Sequence, residues 1–301
     1  MIKLVIFMKH IFLLNRFSLK KNLDKYKSII ESVAKELELD YVIEVNSQEV
    51  STEGILEKYR DGANIIYAVG GDGIMNRVVN AMIGTKNKVA CIPAGTGNDF
   101  NRSVGEFFQP GDNLVDVIRC NDRYFVNVAC FGIDADIAND NAIMHNILIP
   151  KGIQYKMGIL KHLAKCKIRD FKLQWNGKTI KKRLAIVTVC NASYYGGGFR
   201  VNRSGRCDDG LLDAYIVSAT NRRQLLTYLM KMLKGEHEEV RKIVEHVRTS
   251  KFTLTTNEKI GGNLDGEMYE ESSFEMEVLP KAMTFYLNKP LIDKIGTKLE
   301  K

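Results

Sequence analysis

The sequence predicts two domains: an α/β N-terminal domain on a doubly wound parallel sheet, then a β-rich C-terminal domain. Three observations predict it. Strand and helix patterns alternate through the first third. Two apolar runs, Ile65-Ile66-Tyr67-Ala68-Val69 and Val89-Ala90-Cys91-Ile92, each end on a glycine-rich turn. Past about residue 114 the texture changes to short strands with hairpin signals. Alternating βα units build a parallel sheet and place ligands at the C-terminal ends of its strands.

Residues 1–8 superficially resemble a signal peptide, but Lys9 and His10 interrupt the apolar run and no small-residue cleavage site follows. They read as an extension of the first strand, at 9–14, with Met8 as a second candidate start. A helix follows at about 22–38, with Leu23, Tyr26, Ile30, Val33 and Leu37 at helical spacing. Next come a strand near 41–45, a helix near 52–60 and the strand ending at Val69. A helix at about 75–83 starts directly after the first glycine turn, and the strand at 89–92 runs into the second. Beyond these, 115–130 reads as a hairpin turning at Asn121-Asp122-Arg123, and 136–166 as partly helical. Strands are expected near 171–175, 184–190, 212–217, 251–255, 274–278 and 283–287, with a hairpin signal at Asn176-Gly177 and one helix over 222–233.

At 301 residues, 45% hydrophobic and 27% charged, the chain has the make-up of a globular protein with sizeable cores. No apolar stretch reaches transmembrane length. The six cysteines (Cys91, Cys120, Cys130, Cys166, Cys190, Cys207) include no CxxC pair, and several lie in apolar strand-like runs. They read as reduced core residues of a cytosolic protein, not a zinc site or disulfide framework. The net charge of +8 suits a plain solvated surface, an anionic membrane or nucleic acid, but no nucleic-acid module is present. The five histidines show no metal-ligand spacing. No GxxxxGK[ST], strand-to-helix GxGxxG or GxSxG occurs, which argues against a P-loop NTPase, a dinucleotide site and an esterase.

Four clusters carry candidate chemistry. Gly70-Gly71-Asp72-Gly73 is short enough to be a structural turn, yet its glycines let backbone N–H groups close on an anion. Pro93-Ala94-Gly95-Thr96-Gly97-Asn98-Asp99-Phe100 is more specific, packing glycines, a hydroxyl, an amide and a carboxylate together. An acid in each turn makes sense if a divalent cation sits between phosphate and protein. Tyr194-Tyr195-Gly196-Gly197-Gly198-Phe199 and the following Asp208-Asp209-Gly210-Leu211-Leu212-Asp213 read as a tight crossover and a hairpin loop, or as a small oxygen-lined cation site. Asp265-Gly266-Glu267 is an ordinary turn unless Glu267 accepts a proton from a substrate hydroxyl during phosphoryl transfer.

In this order the clusters resemble the diacylglycerol kinase catalytic-domain family, specifically its bacterial soluble lipid kinases, from about residue 9 to 287. Phe131-Gly132-Ile133-Asp134-Ala135 is similar to the family's domain-junction motif and residues 191–199 to its Asn…Gly-Gly-Gly-Phe segment. The resemblance implies an ATP-binding α/β domain over 1–130, joined by the C-terminal segment 285–301, and a β-sandwich lipid-substrate domain over 131–284. It implies ATP contacts from Gly70, Gly71, Asp72, Gly73, Gly95, Thr96 and Gly97, with Asn15 and Ser18 in what remains of the first phosphate loop. It further implies a catalytic Mg²⁺ network of Asp72, Asp99 and Asp134, Glu267 as general base, and a second, structural Mg²⁺ at Asp209 and the carbonyls of Arg206 and Leu211. Three positions depart from the pattern: Ile74 replaces a threonine, Arg77 a glutamate, and Asn15-Arg16-Phe17-Ser18-Leu19 lacks the loop's proline and glycine.

The resemblance implies an ATP- and Mg²⁺-dependent kinase acting on diacylglycerol or a related lipid alcohol in phospholipid biosynthesis. Its partners would be ATP and lipid at the inner face of the membrane, which a cytoplasmic protein touches peripherally. Nucleic acid is not expected; a homodimer is admitted. The departures motivate a rival reading, a catalytically weak lipid- or nucleotide-binding regulator. An NAD kinase shares the Gly-Gly-Asp-Gly loop but expects an Asn-Glu pair that is missing.

Overall fold

A computed structural model describes residues 8–95, 97–140, 157–158, 161–162, 168–219 and 221–300. Thr96, the first seven residues, Cys166, His145 and most of the expected helical stretch at 136–166 lie outside the described residues. Among the described residues no helix is long and apolar enough to cross a membrane.

The N-terminal domain is a parallel sheet of β1 (His10–Leu14), β2 (Tyr41–Val45), β3 (Ile65–Gly70) and β4 (Lys88–Pro93), in the order β4-β3-β1-β2. Its inner strands are buried on both faces, as their apolar runs require. One face is covered by α2 (Leu23–Glu36) and α8 (Lys289–Glu300), with Ile30, Val33, Leu291 and Ile295 packed on Phe12, Leu14 and Tyr67. The other is covered by α3 (Thr52–Glu57), α4 (Asp72–Met82) and α5 (Asp99–Phe107), through Ile55, Val78, Val79, Phe100 and Val104. Winding on both faces makes the sheet doubly wound, as the sequence predicts. The expected helix at 75–83 begins earlier, at Asp72, and α5 is not among the expected helices: Gly105 and five polar residues thin its apolar pattern.

The C-terminal domain is β-sandwich-like. Its antiparallel strands include β7 (Val128–Gly132), β10 (Ile186–Cys190), β13 (Leu212–Val217), β14 (Val244–Thr249) and β15 (Lys251–Leu264). The ribbon β8 (Arg169–Trp175)–β9 (Lys178–Leu184) pairs with β15, turning at Asn176-Gly177 with both residues at positive φ. Phe131, Leu173, Val187, Phe252 and Phe274 fill the core between the sheets. The short helix α6 (Ile133–Ala138) and α7 (Arg222–Met232) pack on the outer face, and β11 (Tyr194–Tyr195) and β12 (Phe199–Arg200) form a separate two-stranded sheet.

The expected hairpin over 115–130 is divided. β5 (Gly111–Cys120) does pair with β6 (Arg123–Phe125), but the chain then breaks, and β7 pairs with β10 instead. The break has a cause: the N–H groups of Val126, Asn127 and Val128 all donate to the Asp265 carboxylate. Conversely, the two strands expected at 274–278 and 283–287 are one, β16 (Glu267–Leu287), irregular between Leu279 and Met283. One end of β16 pairs with β15; the other pairs with β5 and, in parallel, with β4 at Phe285–Val89. A single strand thus runs through both domains.

Candidate active site

The parallel sheet reverses its winding between β1 and β3, and the loops leaving those strands open a crevice where such folds bind ligands. After β1, Asn15 caps the one-turn helix α1 (Arg16–Leu19), accepting from the Phe17 N–H (3.1 Å), while Asn46 accepts from the Arg16 N–H (2.9 Å). This sets the Ser18 hydroxyl against the end of β3: a Cβ at Gly70 would lie 3.1 Å from Ser18 Oγ and 2.7 Å from Ile74 Cγ2. Ile74 is itself buried in the core. The two glycine turns touch. A Cβ at Gly95 would lie 2.4 Å from Gly71 Cα, so backbone meets backbone there and no side chain fits. α4 starts at this contact with Gly71 as its N-cap and no side-chain cap, leaving the first-turn N–H groups and the positive end of the helix dipole for an anion.

Two carboxylates flank the cradle. A Cβ at Gly97 would stand 2.8 Å from Asp72 Oδ2 and 3.4 Å from Asp99 Oδ2, so the acids face one another across that glycine. Asp72 accepts from the Phe100 N–H (3.1 Å); Asp99 accepts from the Gly197 N–H (2.8 Å) and Arg102 (2.8 Å). Burial, and the nearby Asp72 charge, push the Asp99 carboxyl up to about 6 despite these donors. Two acids held against their mutual repulsion suit a divalent cation. Among the described residues no three His, Cys, Asp or Glu gather to enclose a metal. An all-oxygen pair of carboxylates with room for phosphate and water is the donor set Mg²⁺ takes at nucleotide sites.

Glu267 reaches the same place from the other domain. A Cβ at Gly73 would lie 3.4 Å from Glu267 Oε1, which puts this carboxylate beside the first turn of α4. Its position follows from the turn before it. Asp265 and Gly266, both at positive φ, join β15 to β16 as a two-residue hairpin. The buried Asp265 carboxylate is gripped by the Val126, Asn127 and Val128 N–H groups and by Asn76 Nδ2 (2.8–3.2 Å). Burial outweighs those donors and raises its carboxyl to about 6. Arg77 Nε stands 3.5 Å from Glu267 Oε1. Beside this pair opens a cavity of about 440 Å³ between α3, α4, β6 and the β15–β16 hairpin.

Residues 9–124 match the diacylglycerol kinase catalytic domain, and residues 127–287 the YegS C-terminal NAD kinase beta sandwich-like domain. The chain belongs to the diacylglycerol kinase catalytic-domain family. A protein named diacylglycerol kinase in Bacillus subtilis is 25% identical over 217 residues, 68% of this chain and 71% of its own. Another of that name in Mycobacterium tuberculosis is 28% identical over 245 residues, 74% and 76% of the two chains. One named probable lipid kinase YegS-like in Shewanella frigidimarina is 28% identical over 248 residues, 77% and 79%. The fold is that of a diacylglycerol kinase crystal structure from Bacillus anthracis, with a TM-score of 0.68 at 17% identity, covering 95% of this chain and 98% of that one. A second structure from the same organism gives 0.75 at 20%, covering 95% and 96%.

Of the other residues the family pattern singles out, Asp134 is fully buried in α6, where the Tyr195 hydroxyl donates to both its oxygens (3.0 and 2.9 Å). The Tyr194–Phe199 turn links it to the first pair of acids, with Tyr195 on Asp134 and the Gly197 N–H on Asp99. The Asp209 turn is arranged differently from a bare cation site. The Arg248 guanidinium meets Asp209 Oδ2 (2.5 Å) and Asp213 Oδ1 (3.1 Å), and the Leu211 N–H takes Asp209 Oδ1 (3.1 Å). Arg206 is a bidentate partner of Asp208. The Asp209 carboxylate, to which the resemblance assigns a second Mg²⁺, is thus engaged by the Arg248 guanidinium.

Several residues of the site escaped sequence reasoning. Arg102 holds Asp99, and Asn76 and Asn80 fasten α4 to β6 through the Tyr124 backbone. The one available signal was the spacing of Asn76 and Asn80, four apart on one helix face.

Proposed function

We propose that this protein is an ATP- and Mg²⁺-dependent lipid kinase that moves the γ-phosphoryl group of ATP to the hydroxyl of diacylglycerol or a related lipid alcohol. The observation that carries the reading is the convergence of Glu267 on the first turn of α4, beside the Gly71–Gly95 contact and the Asp72–Asp99 pair. The N–H groups at the start of α4 and of the glycine turns, with Asn15 and Ser18 opposite, would hold the phosphates. Gly70, Gly71, Gly73, Gly95 and Gly97 keep that approach open. Asp72 and Asp99 would hold the Mg²⁺, with Asp134 behind them; bound there, the ion neutralises charge developing on the transferred group. Glu267 takes the proton of the lipid hydroxyl as its oxygen bonds to the γ-phosphorus and the bond to the ADP oxygen breaks. Orientation and a fixed electrostatic frame supply most of the acceleration.

The regulator reading has one observation in its favour: Arg77 engages the proposed base. The pair is loose, at 3.5 Å with side chains 45% and 44% exposed. Pairs so exposed are worth about 0–1 kcal/mol, too little to keep Glu267 from a substrate hydroxyl. Glu267→Gln should lower kcat about 10²–10⁴-fold and leave ATP binding within a factor of two. Transfer from γ-labelled ATP to micelle-dispersed lipid alcohols, with NAD as soluble control, reads both. A variant as active as the parent would remove Glu267 as the base, and labelled NAD would replace the lipid reading.

A further inference from the structure

The two faces of α7 differ sharply. Leu225, Tyr228, Leu229 and Met232 are buried against the β-sandwich. On the opposite side Leu226 and Met230 stand 42% and 50% exposed, one helical turn apart. Arg222 lies one turn before Leu226 and Lys234 one turn after Met230, both exposed, with the exposed Arg223 alongside. Residues 222–232 include no acid. Neither Arg223 nor Lys234 has a carboxylate within 4.0 Å among the described residues. The acids that follow the helix are engaged elsewhere. Lys231 takes Glu236 (3.1 Å) and Glu239 (2.7 Å), and Glu238 accepts from the Tyr215 hydroxyl (2.8 Å).

We propose that the outer face of α7 docks on an anionic bilayer, with Leu226 and Met230 entering the head-group layer between cations that meet lipid phosphates. A single exposed Leu or Met calls for no explanation. What sets this pair apart is its helical spacing, the cations at both ends and the absence of an acid, which together make the stripe of an interfacial helix. A bilayer suits the stripe because it offers phosphates in no fixed register. Long Arg and Lys side chains meet those readily, and apolar tips enter without a matching pocket. The inner face of the helix gives the docking a purpose. Met232 Sδ lies 3.2 Å from the Tyr195 hydroxyl, which donates to Asp134. The thickness of one helix, about 10 Å, separates the stripe from that hydrogen-bonded network. The docking stands on its own; its bearing on turnover rests on the lipid-kinase reading, since a protein seated here draws its acceptor from the surface it lies on.

Co-sedimentation without ATP, on phosphatidylcholine vesicles with and without phosphatidylserine, reads the docking directly. The protein should bind the anionic vesicles at least about tenfold more tightly, and less so as salt rises. The double variants Leu226→Gln/Met230→Gln and Arg223→Gln/Lys234→Gln should each weaken that binding about tenfold or more, and only the second should flatten its salt dependence. Met230→Trp should shift its emission to the blue on anionic vesicles and not on neutral ones. Both double variants should lose turnover of diacylglycerol embedded in anionic vesicles, yet match the parent on short-chain diacylglycerol dispersed as monomers. Equal binding to neutral vesicles, or double variants that bind as the parent does, would overturn the proposal. So would a parent dimer that Leu226→Gln/Met230→Gln splits without loss of vesicle binding, which would assign the face to a second copy. If the protein docks through α7 and labels no lipid, the kinase reading fails and the docking surface stands.

Discussion

Asp99 shows how the site holds a charge it does not favour. Its carboxyl rises from 3.8 to about 6 because it is buried beside Asp72. The folded protein therefore binds this proton more tightly than the unfolded chain. The stability it contributes is full below about pH 4 and is lost as pH rises through about 6. The shift corresponds to an upper figure of about 3 kcal/mol. Asp99→Asn should flatten the fall in urea-unfolding stability between pH 4.5 and 7.5 and leave a remnant from Asp265, which titrates in the same range. An unchanged slope would show that Asp99 does not carry the effect. A cation competes with the same proton, so calorimetric Mg²⁺–ATP affinity in the parent protein should fall as pH drops below about 6. The glycines and acids of both turns were legible because a glycine run beside an acid is a local pattern. Asp265 also stands in a local motif, but its clamping role is not legible, since its partner Val126 lies 139 residues away.

Elements came through the sequence wherever one face was strongly patterned. β1, β3, β4 and α2 were read nearly to the residue, whereas α5, β9 and β14 were missed. β9 carries Lys178, Lys181, Lys182 and Arg183 on an exposed ribbon, so burial leaves little alternation to read. β14 matters chemically, because strand pairing sets Arg248 opposite Asp213 and lets it reach Asp209. That placement gives both carboxylates a cationic partner. Arg248→Gln should leave the buried Asp213 short of a partner and cost about 1–3 kcal/mol. Melting followed by circular dichroism should show millimolar Mg²⁺ recovering part of that loss, while the parent protein shows no response to EDTA. A parent protein that melts earlier in EDTA would mean that the turn holds an ion as well as the arginine.

At the scale of the whole molecule, both domain classes were legible from the switch in rhythm near residue 114, but their joining was not. β16 was read as two strands because the irregular stretch 280–282 interrupts its alternation. There Lys281 is at positive φ, and its N–H donates to the fully buried Asp116 (2.7 Å), whose other oxygen accepts from the Gly210 N–H (2.6 Å). Beyond β16, α8 closes the far face of the nucleotide-domain sheet. Truncation after Leu287 would expose the surfaces that Leu291 and Ile295 cover, at about 1.5–3 kcal/mol for each side chain. Urea unfolding should show a loss of about 3–6 kcal/mol, and an unchanged midpoint would make α8 an ornament rather than a brace. β16 carries Glu267 at one end and reaches Val89 of the nucleotide-domain sheet at the other. Neither half can be copied, transplanted or exchanged as a gene segment without stranding part of its neighbour's sheet. A recombination joint anywhere between 131 and 284 would hand each product an incomplete protein. The chain folds as two domains, yet it must be inherited as one.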